Sequence, residues 1–328
     1  MRRRLHSALL LPLVGALVLA FGCGSRRNVQ DDPERPGTMN LDQVFEHDGK
    51  ERAYHFYVPA DVSEPRPLVL TLHGGGGTID NHIGVGRADW PQRVWLDIAD
   101  EENLYVLVPQ GINQQWNDCR VECERCGDED DIGFLLGLID QLQRDHNIDA
   151  SRVYVSGESN GGMMTQRLVQ EAPERFAAAG ATIALRPENS DCVDNALPTP
   201  FMYQLGTEDA LMPYEGGSEN AQIVVQSAVD SVAYWRELNQ CEQTPTLTDY
   251  DDLDPDDDST AHREDYACPA TGTAVSLVTL RGAGHVASSI EVQVSALWEG
   301  IAGEQNHDVE AMRLYWAFMR DFTREQRD

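Results

Sequence analysis

Residues Val153–Met164 read VYVSGESNGGMM. A β-branched run leads into Gly157-Glu158-Ser159-Asn160-Gly161, and a helix-like run follows as far as Ala172. Glycine one residue away on each side of a serine suits a sharp strand-to-helix turn, because Gly157 and Gly161 carry no Cβ where the backbone is strained and the helix packs closely. A serine on such a turn stands at the end of a sheet as a candidate nucleophile. The plain alternative is a turn serine, since G-x-S-x-G also arises by chance. The remainder of the chain decides between them by supplying, or not supplying, a base, an acid and oxyanion donors.

Outward from this turn, short apolar strands alternate with longer amphipathic segments. Strands are expected at Ala53–Val58, Leu68–Leu72, Tyr105–Pro109, Val153–Ser156, Ala177–Thr182, Phe201–Leu205 and Val275–Leu280. Helices are expected at Arg93–Glu102, Ile132–His146, Gly161–Ala172, Ala221–Asn239 and Asp308–Arg324, with Asp149–Arg152 as a break between helix and strand. The near-continuous Val, Ile and Leu content of the strands is what burial on both faces requires. The pattern is α/β, a mostly parallel sheet with helices on both faces, and the serine turn makes it an α/β-hydrolase fold.

In that fold the acid and then the histidine follow the serine, each just past a strand. After FMYQL comes GTEDALMPY, which places Asp209 beyond Gly206-Thr207, with Glu208 as a rival carboxylate; after VSLVTL comes RGAGH, which places His285 in a glycine-flanked loop. The order Ser159, Asp209, His285 is the expected one. Upstream, LVLTLHGGGG ends a strand with His73 and four glycines, a backbone able to aim amides at a developing oxyanion. The expected donors are the N–H of Gly74 or Gly75 with that of Asn160. No metal or organic cofactor is expected for such chemistry.

Composition bounds the setting. The chain has 328 residues and a formal net charge of −30, with Lys50 its single lysine; such a surface repels nucleic acid and anionic polymers. MRRR followed by an apolar run to Phe21 reads as an export signal over residues 1–22. Cys23 closes that run at the position of a lipid-bearing cysteine, although Ala20 and Phe21 fit the usual pattern imperfectly, and simple secretion or an uncleaved anchor are the alternatives. Contact with a membrane is expected only through that lipid. Residues 23–40 read as a flexible tether and 41–328 as one catalytic domain, carrying an acidic inserted loop at 249–265 that reads as a solvated face. Six further cysteines in an oxidising compartment point to disulfides, Cys241 with Cys268 first among them. The cluster Cys119, Cys123 and Cys126 lacks a fourth ligand for zinc.

With these residues in view, the chain resembles the esterase family of extracellular poly(3-hydroxybutyrate) depolymerases, feruloyl and acetylxylan esterases and related bacterial lipoproteins. The resemblance covers about residues 45–325 and rests on HGGGG, Trp116-Asn117, Asp131-Ile132-Gly133-Phe134, GESNGGMM, GTEDALMPY and GAGH. It implies Ser159, Asp209 and His285 as the triad, an oxyanion loop at His73–Gly76, Trp116 and Asn117 at the substrate, and an ester substrate such as a polyester or acylated plant polysaccharide. Where depolymerase-like members follow the histidine with a residue and then Trp-Pro-Gly, this chain has Val286-Ala287-Ser288-Ser289. That departure bears on the substrate pocket; Trp90, Trp95 and Trp298 either line it or pack the core, and core packing is the expected use of any one of them. An α/β-hydrolase peptidase and an inactive, tethered polymer-binding protein are the competing readings.

Overall fold

The computed structural model describes residues 35–85, 90–121, 123, 125–218 and 223–324. The expected signal, Cys23 and most of the expected tether lie outside these residues.

Ten strands form one sheet: β1 (Thr38–His47), β2 (Lys50–Val58), β3 (Arg66–Leu72), β4 (Tyr105–Pro109), β5 (Ile148–Glu158), β6 (Ala178–Thr182), β7 (Phe201–Gly206), β8 (Thr246–Asp249), β9 (Thr260–Cys268) and β10 (Thr273–Arg281), in the spatial order β1-β2-β4-β3-β5-β6-β7-β10-β9-β8. The six strands from β4 to β10 along this order are parallel; the pairs at both edges are antiparallel. Alternation along β3 explains the two-sided core. Leu68, Leu70 and Leu72 join one apolar cluster and Val69 the other, every one of them fully buried. Helices α3 (Asp131–Asp145), α4 (Ser159–Glu171) and α5 (Ala228–Leu238) contribute Phe134, Leu168 and Trp235 to the first cluster. Helices α2 (Val94–Glu102) and α7 (Ala311–Met319) contribute Trp95 and Tyr315 to the second. Short helices α1 (Ile79–Ile83) and α6 (Ala296–Ala302) complete the set.

Four expectations need correction. Strand β1 begins at Thr38, so the last residues of the expected tether are in the sheet, paired with β2 up to Thr38 opposite Val58; its half-exposed edge position removed the apolar signal. Asp149–Arg152 is the opening of β5 and no break, stapled by Asp149, which accepts from Ser151 N and Arg152 Nε. The acidic insertion is an edge hairpin, because Thr260–Asp265 pairs with β10 in register and only residues 250–259 loop out. The fifth helix starts at Ala228, where the Ser227 side chain accepts from Asp230 N and caps it.

Among the described residues three disulfides are present, Cys119–Cys192, Cys123–Cys126 and Cys241–Cys268. Among the described residues no helix is long and apolar enough to cross a membrane.

Candidate active site

The serine turn owes its shape to backbone crowding. A Cβ on Gly161 would come within 2.4 Å of the carbonyl oxygens of Leu72 and His73, and one on Gly157 within 2.3 Å of Gly161 O. Both positions therefore require glycine, and the start of α4 is drawn tight against β3. Ser159 lies between them at φ 51°, a left-handed conformation that costs a non-glycine residue on the order of 1 kcal/mol or more. Surrounding packing holds it there, and the side chain projects into a cavity of about 650 Å³.

Three expected residues meet at the cavity. His285 Nε2 is 2.9 Å from Ser159 Oγ, and His285 Nδ1 is 2.6 Å from Asp209 Oδ2. The carboxylate fixes the Nδ1–H tautomer, which leaves Nε2 with a lone pair toward the serine hydroxyl. Asp209 is itself oriented, since Oδ1 accepts from Leu211 N and Met212 N at 2.9 and 2.8 Å. Glu208 is exposed and takes no part in this chain of contacts. The loop bearing His285 is held by its own backbone: His285 N donates to Ala302 O at 2.6 Å and Gly284 N to Glu304 O at 2.9 Å. Such an arrangement can take the proton from Ser159 and return it to a leaving group.

The glycine loop reaches the same point. A Cβ on Gly74 would stand 3.4 Å from Ser159 Cβ. The N–H groups of Gly76 and Gly77 are engaged by Gln114 O and Gly74 O, and that of Gly74 faces Glu158 Oε1 at 3.4 Å. Gly75 N–H has no protein acceptor among the described residues, and Asn160 N–H lies in the first turn of α4, where helical amides have no intrahelical partner. Gly75 and Asn160 are therefore the better-placed pair of the three expected donors. His73 anchors the loop from below. Its Nε2 accepts from Gly111 N and Gln110 Nε2, and its Nδ1–H donates to Gly74 O; burial holds its pKa down at about 4, so it is neutral.

Trp116 and Asn117 do not line the cavity. Trp116 is fully buried, its indole N–H donating to His73 O at 2.9 Å and its backbone paired with the Asn160 side chain. Asn117 is tied to the head of α3: its N–H donates to Asp131 Oδ2 and its Nδ2 to Glu129 O. This pair braces the glycine loop and the serine turn from behind, which is why a neighbouring motif in sequence looked like a substrate contact.

Other residues take the wall. Trp90 and Trp298 line the cavity as an edge-to-face pair with centroids 5.4 Å apart, joined by Ile183, Leu211 and Val294. The floor carries Glu158, the residue before the serine, which accepts from Trp90 Nε1 at 2.8 and 2.9 Å and from Gln92 Nε2 at 2.7 Å. His82 is buried, bonded to Thr71 Oγ1 through Nε2, with Nδ1 3.5 Å from Glu158 Oε1, an electrostatic contact beyond good hydrogen-bond geometry. Burial acts to raise the Glu158 pKa, but His82, Trp90 and the Gly74 N–H outweigh it and hold the carboxyl below its ordinary range. Sequence alone signalled this network only by placing an acid inside the serine motif; His82, Gln92 and the choice of Trp90 gave no signal. Three acid–histidine groups among the described residues have metal-binding spacing: Asp42, His55 and Asp80; His47, Asp48 and Asp130; Asp254, Asp257 and His307. None of their members lines the cavity.

Residues 133–185, from α3 through the serine turn to β6 and just beyond, match the model of the prolyl oligopeptidase family. The chain is similar to NocK of Nocardia uniformis subsp. tsuyamanensis, provisionally named an esterase, at 28% identity over 72% of this chain and 71% of that protein. It is also similar to a poly(3-hydroxybutyrate) depolymerase of Ralstonia pickettii, at 30% identity over 51% of this chain, a match that spans about a third (36%) of the depolymerase. An acetyl xylan esterase structure from Aspergillus awamori superimposes with a TM-score of 0.54 at 15% identity, covering 76% of this chain and 94% of that one, which shows a shared fold. The chain is thus a carboxylic ester hydrolase with the α/β-hydrolase fold, similar to proteins named as poly(3-hydroxybutyrate) depolymerases, feruloyl esterases and acetylxylan esterases.

Proposed function

We propose that the chain is an exported serine esterase that hydrolyses uncharged carboxylic esters through an acyl-enzyme, with Ser159 as nucleophile, His285 as base and acid, and Asp209 as the group that orients His285. The observation that carries this reading is the continuous run of contacts from Asp209 Oδ2 through His285 to Ser159 Oγ, opening on the cavity. Ser159 Oγ attacks the ester carbonyl carbon while its proton passes to His285 Nε2; the oxyanion is received by Gly75 N–H and Asn160 N–H. Collapse expels the alkoxide, which leaves as alcohol with the proton from His285. A water, deprotonated by the same nitrogen, then attacks the acyl-serine, and collapse releases the acid as His285 returns the proton to Ser159 Oγ.

Substrate charge follows from the walls. Among the described residues the cavity lining has no Lys or Arg, its His73 is neutral and its Glu158 is held in the carboxylate form, so those residues offer an anionic ester no countercharge. Three disulfides support passage through an oxidising compartment. Retention at the envelope through a lipid on Cys23 is the accompanying proposal. It is tested by whether Cys23→Ser moves the protein from the membrane fraction to the medium or leaves it unprocessed.

The peptidase alternative draws on the match at residues 133–185, which covers the serine turn and not the acid or the histidine. A serine-directed fluorophosphonate, followed by peptide mass mapping and turnover assays on matched ester and amide substrates, decides between them. Labelling confined to Ser159 with ester turnover far above amide turnover supports the esterase; amide turnover equal to ester turnover supports the peptidase, and no labelling sinks both.

A further inference from the structure

Asn160 offers the oxyanion its backbone N–H, yet both polar atoms of its buried side chain are engaged as well, behind the serine turn. Oδ1 accepts from Trp116 N at 2.8 Å, while Nδ2 donates to Trp116 O at 3.0 Å and to Asp118 Oδ2 at 2.6 Å. An ionised carboxylate only accepts hydrogen bonds, so Asp118 and the Trp116 backbone together fix which way the amide faces. The anchored side chain restrains Asn160 Cα, and the N–H one bond from that carbon takes its direction from it.

Packing does not explain why position 118 carries a charge. Asp118 is 1% exposed and paired with Arg120, whose Nη2 donates to Oδ2 at 2.8 Å and whose Nε donates to Oδ1 at 3.0 Å. A buried ion pair recovers its desolvation cost poorly, and apolar replacements of such pairs are often neutral or stabilising, so stability is a weak reason for this one. Among the described residues, the Asp118 side chain makes one hydrogen bond outside its own loop, the one to Asn160. A bond to a charged acceptor is stronger than its neutral counterpart, which suits a group that has to be held still. The loop is itself anchored: Cys119 is bridged to Cys192, Cys119 O accepts from Asp191 N, and Asn117 O accepts from Arg167 Nη1 of α4. Asp118 therefore stands on a fixed base, and what it holds is the residue after the nucleophile.

Resting on the esterase reading above, we infer that Asp118 is a positioning residue of the oxyanion hole: through the Asn160 side chain it aims the Asn160 N–H at the oxyanion of the tetrahedral intermediate.

The test is a double-mutant cycle in the full-length protein, with Asp118→Asn, Asn160→Ala and the two combined, assayed on a soluble short-chain nitrophenyl ester and on its thionoester. Asp118→Asn keeps the shape and lacks the charge; Asn160→Ala keeps the backbone N–H and lacks the side chain through which Asp118 acts. Asp118→Asn should lower kcat by about 10- to 100-fold with KM within about twofold, below the loss on the order of 10² to 10³ for removing an oxyanion donor outright. The preference for the oxygen ester over the thionoester should shrink with it, because sulfur is a weaker acceptor and depends less on an aimed N–H. In the Asn160→Ala background, Asp118→Asn should change kcat by no more than about twofold. An equal loss in both backgrounds overturns the inference, since Asp118 would then act through the fold and not through Asn160; wild-type kcat in Asp118→Asn overturns it too. Where Asp118→Asn lowers the urea midpoint by leaving Arg120 unpaired, Asp118→Ala/Arg120→Ala removes both charges, and the inference falls unless that variant shows the same loss and the same coupling to Asn160→Ala. Failure of the esterase reading is read separately, as absence of soluble-ester turnover in the wild type.

Discussion

The indole N–H of Trp90 donates to both carboxylate oxygens of Glu158, and Glu158 immediately precedes Ser159 in the chain. One buried acid thereby ties an aromatic wall of the cavity to the serine turn and, through Gly74 N–H, to the glycine loop. Removing its charge while keeping its shape should separate these functions from simple packing. Glu158→Gln keeps one acceptor oxygen but sets a donor against Trp90 or Gln92, and it removes the negative charge beside His82. We expect kcat/KM on a soluble ester to fall by about 10- to 100-fold, corresponding to a loss of about 1.5–3 kcal/mol for a hydrogen bond to a charged group. Labelling of Ser159 by a fluorophosphonate should slow and still go to completion, since the nucleophile and its base are untouched. Turnover and labelling both at wild-type level would show that Glu158 only fills space.

Glu310 gives a pH dependence of definite sign. Its Oε2 accepts from Ser289 Oγ, Ile290 N and Glu291 N, whereas the buried Oε1 has no partner. Burial raises its pKa to about 7 against those hydrogen bonds. The folded state therefore holds a proton that the unfolded state has already lost above its ordinary value of 4.5. Its stabilising contribution is complete below that value and is lost as pH rises toward about 7, on the order of 3 kcal/mol in all. Glu310→Gln places an uncharged amide in the same site, with its oxygen on the three donors. The variant should match the wild type near pH 4.5 and exceed it in urea midpoint at pH 8, and parallel pH–stability curves would count against the assignment.

Much of the fold was legible because the central strands state their burial in composition. Leu68–Leu72, Tyr105–Pro109 and Phe201–Leu205 are apolar on nearly every residue, with Thr71 and Gln204 the exceptions, a density that suits a sheet covered on both faces. Strands β1 and β8 at the two edges and β9 beside β8 stayed hidden, since strands at a sheet's margin have half-wet faces and TLTD or TAHREDYAC has no apolar run to detect. The serine, acid and histidine positions were readable from fixed offsets to strand ends. The cavity wall was not. Trp90 and Trp116 are both tryptophans near glycine-rich loops, and only tertiary packing sends one into the cavity and the other behind His73.

Cys241–Cys268 closes the edge hairpin against α5, with Glu242 N donating to Ala267 O and Cys241 N to Arg236 O beside it. Its 27-residue separation corresponds to about 3.5 kcal/mol in the chain-entropy description. Cys241→Ser/Cys268→Ser should lower the urea midpoint accordingly. No residue of this hairpin lines the cavity, so turnover on a soluble ester should stay within about twofold under folding conditions. A variant with unchanged midpoint would mean that the ladder between β9 and β10 already fixes the loop.

Ser159, His285 and Asp209 should behave as one unit. The serine hydroxyl is a weak nucleophile at neutral pH unless a base 2.9 Å away can take its proton as the bond to carbon forms, and His285 Nε2 is that group. Either Ser159→Ala or His285→Ala removes the proton transfer altogether. Each should therefore lower kcat by a factor on the order of 10⁴ to 10⁶, and the double variant should lose little more than either alone. Asp209→Asn presents an amide to His285 Nδ1, reversing the tautomer and pointing a proton at Ser159, which should cost on the order of 10⁴ in kcat. Glu208→Gln, one residue earlier and exposed, should cost far less, within about twofold. These four single variants and the double variant, assayed on one soluble ester at fixed pH, separate the geometry from its neighbours. If the losses of Ser159→Ala and His285→Ala multiply in the double variant, the two side chains contribute independently, and the contact between them is not the source of turnover.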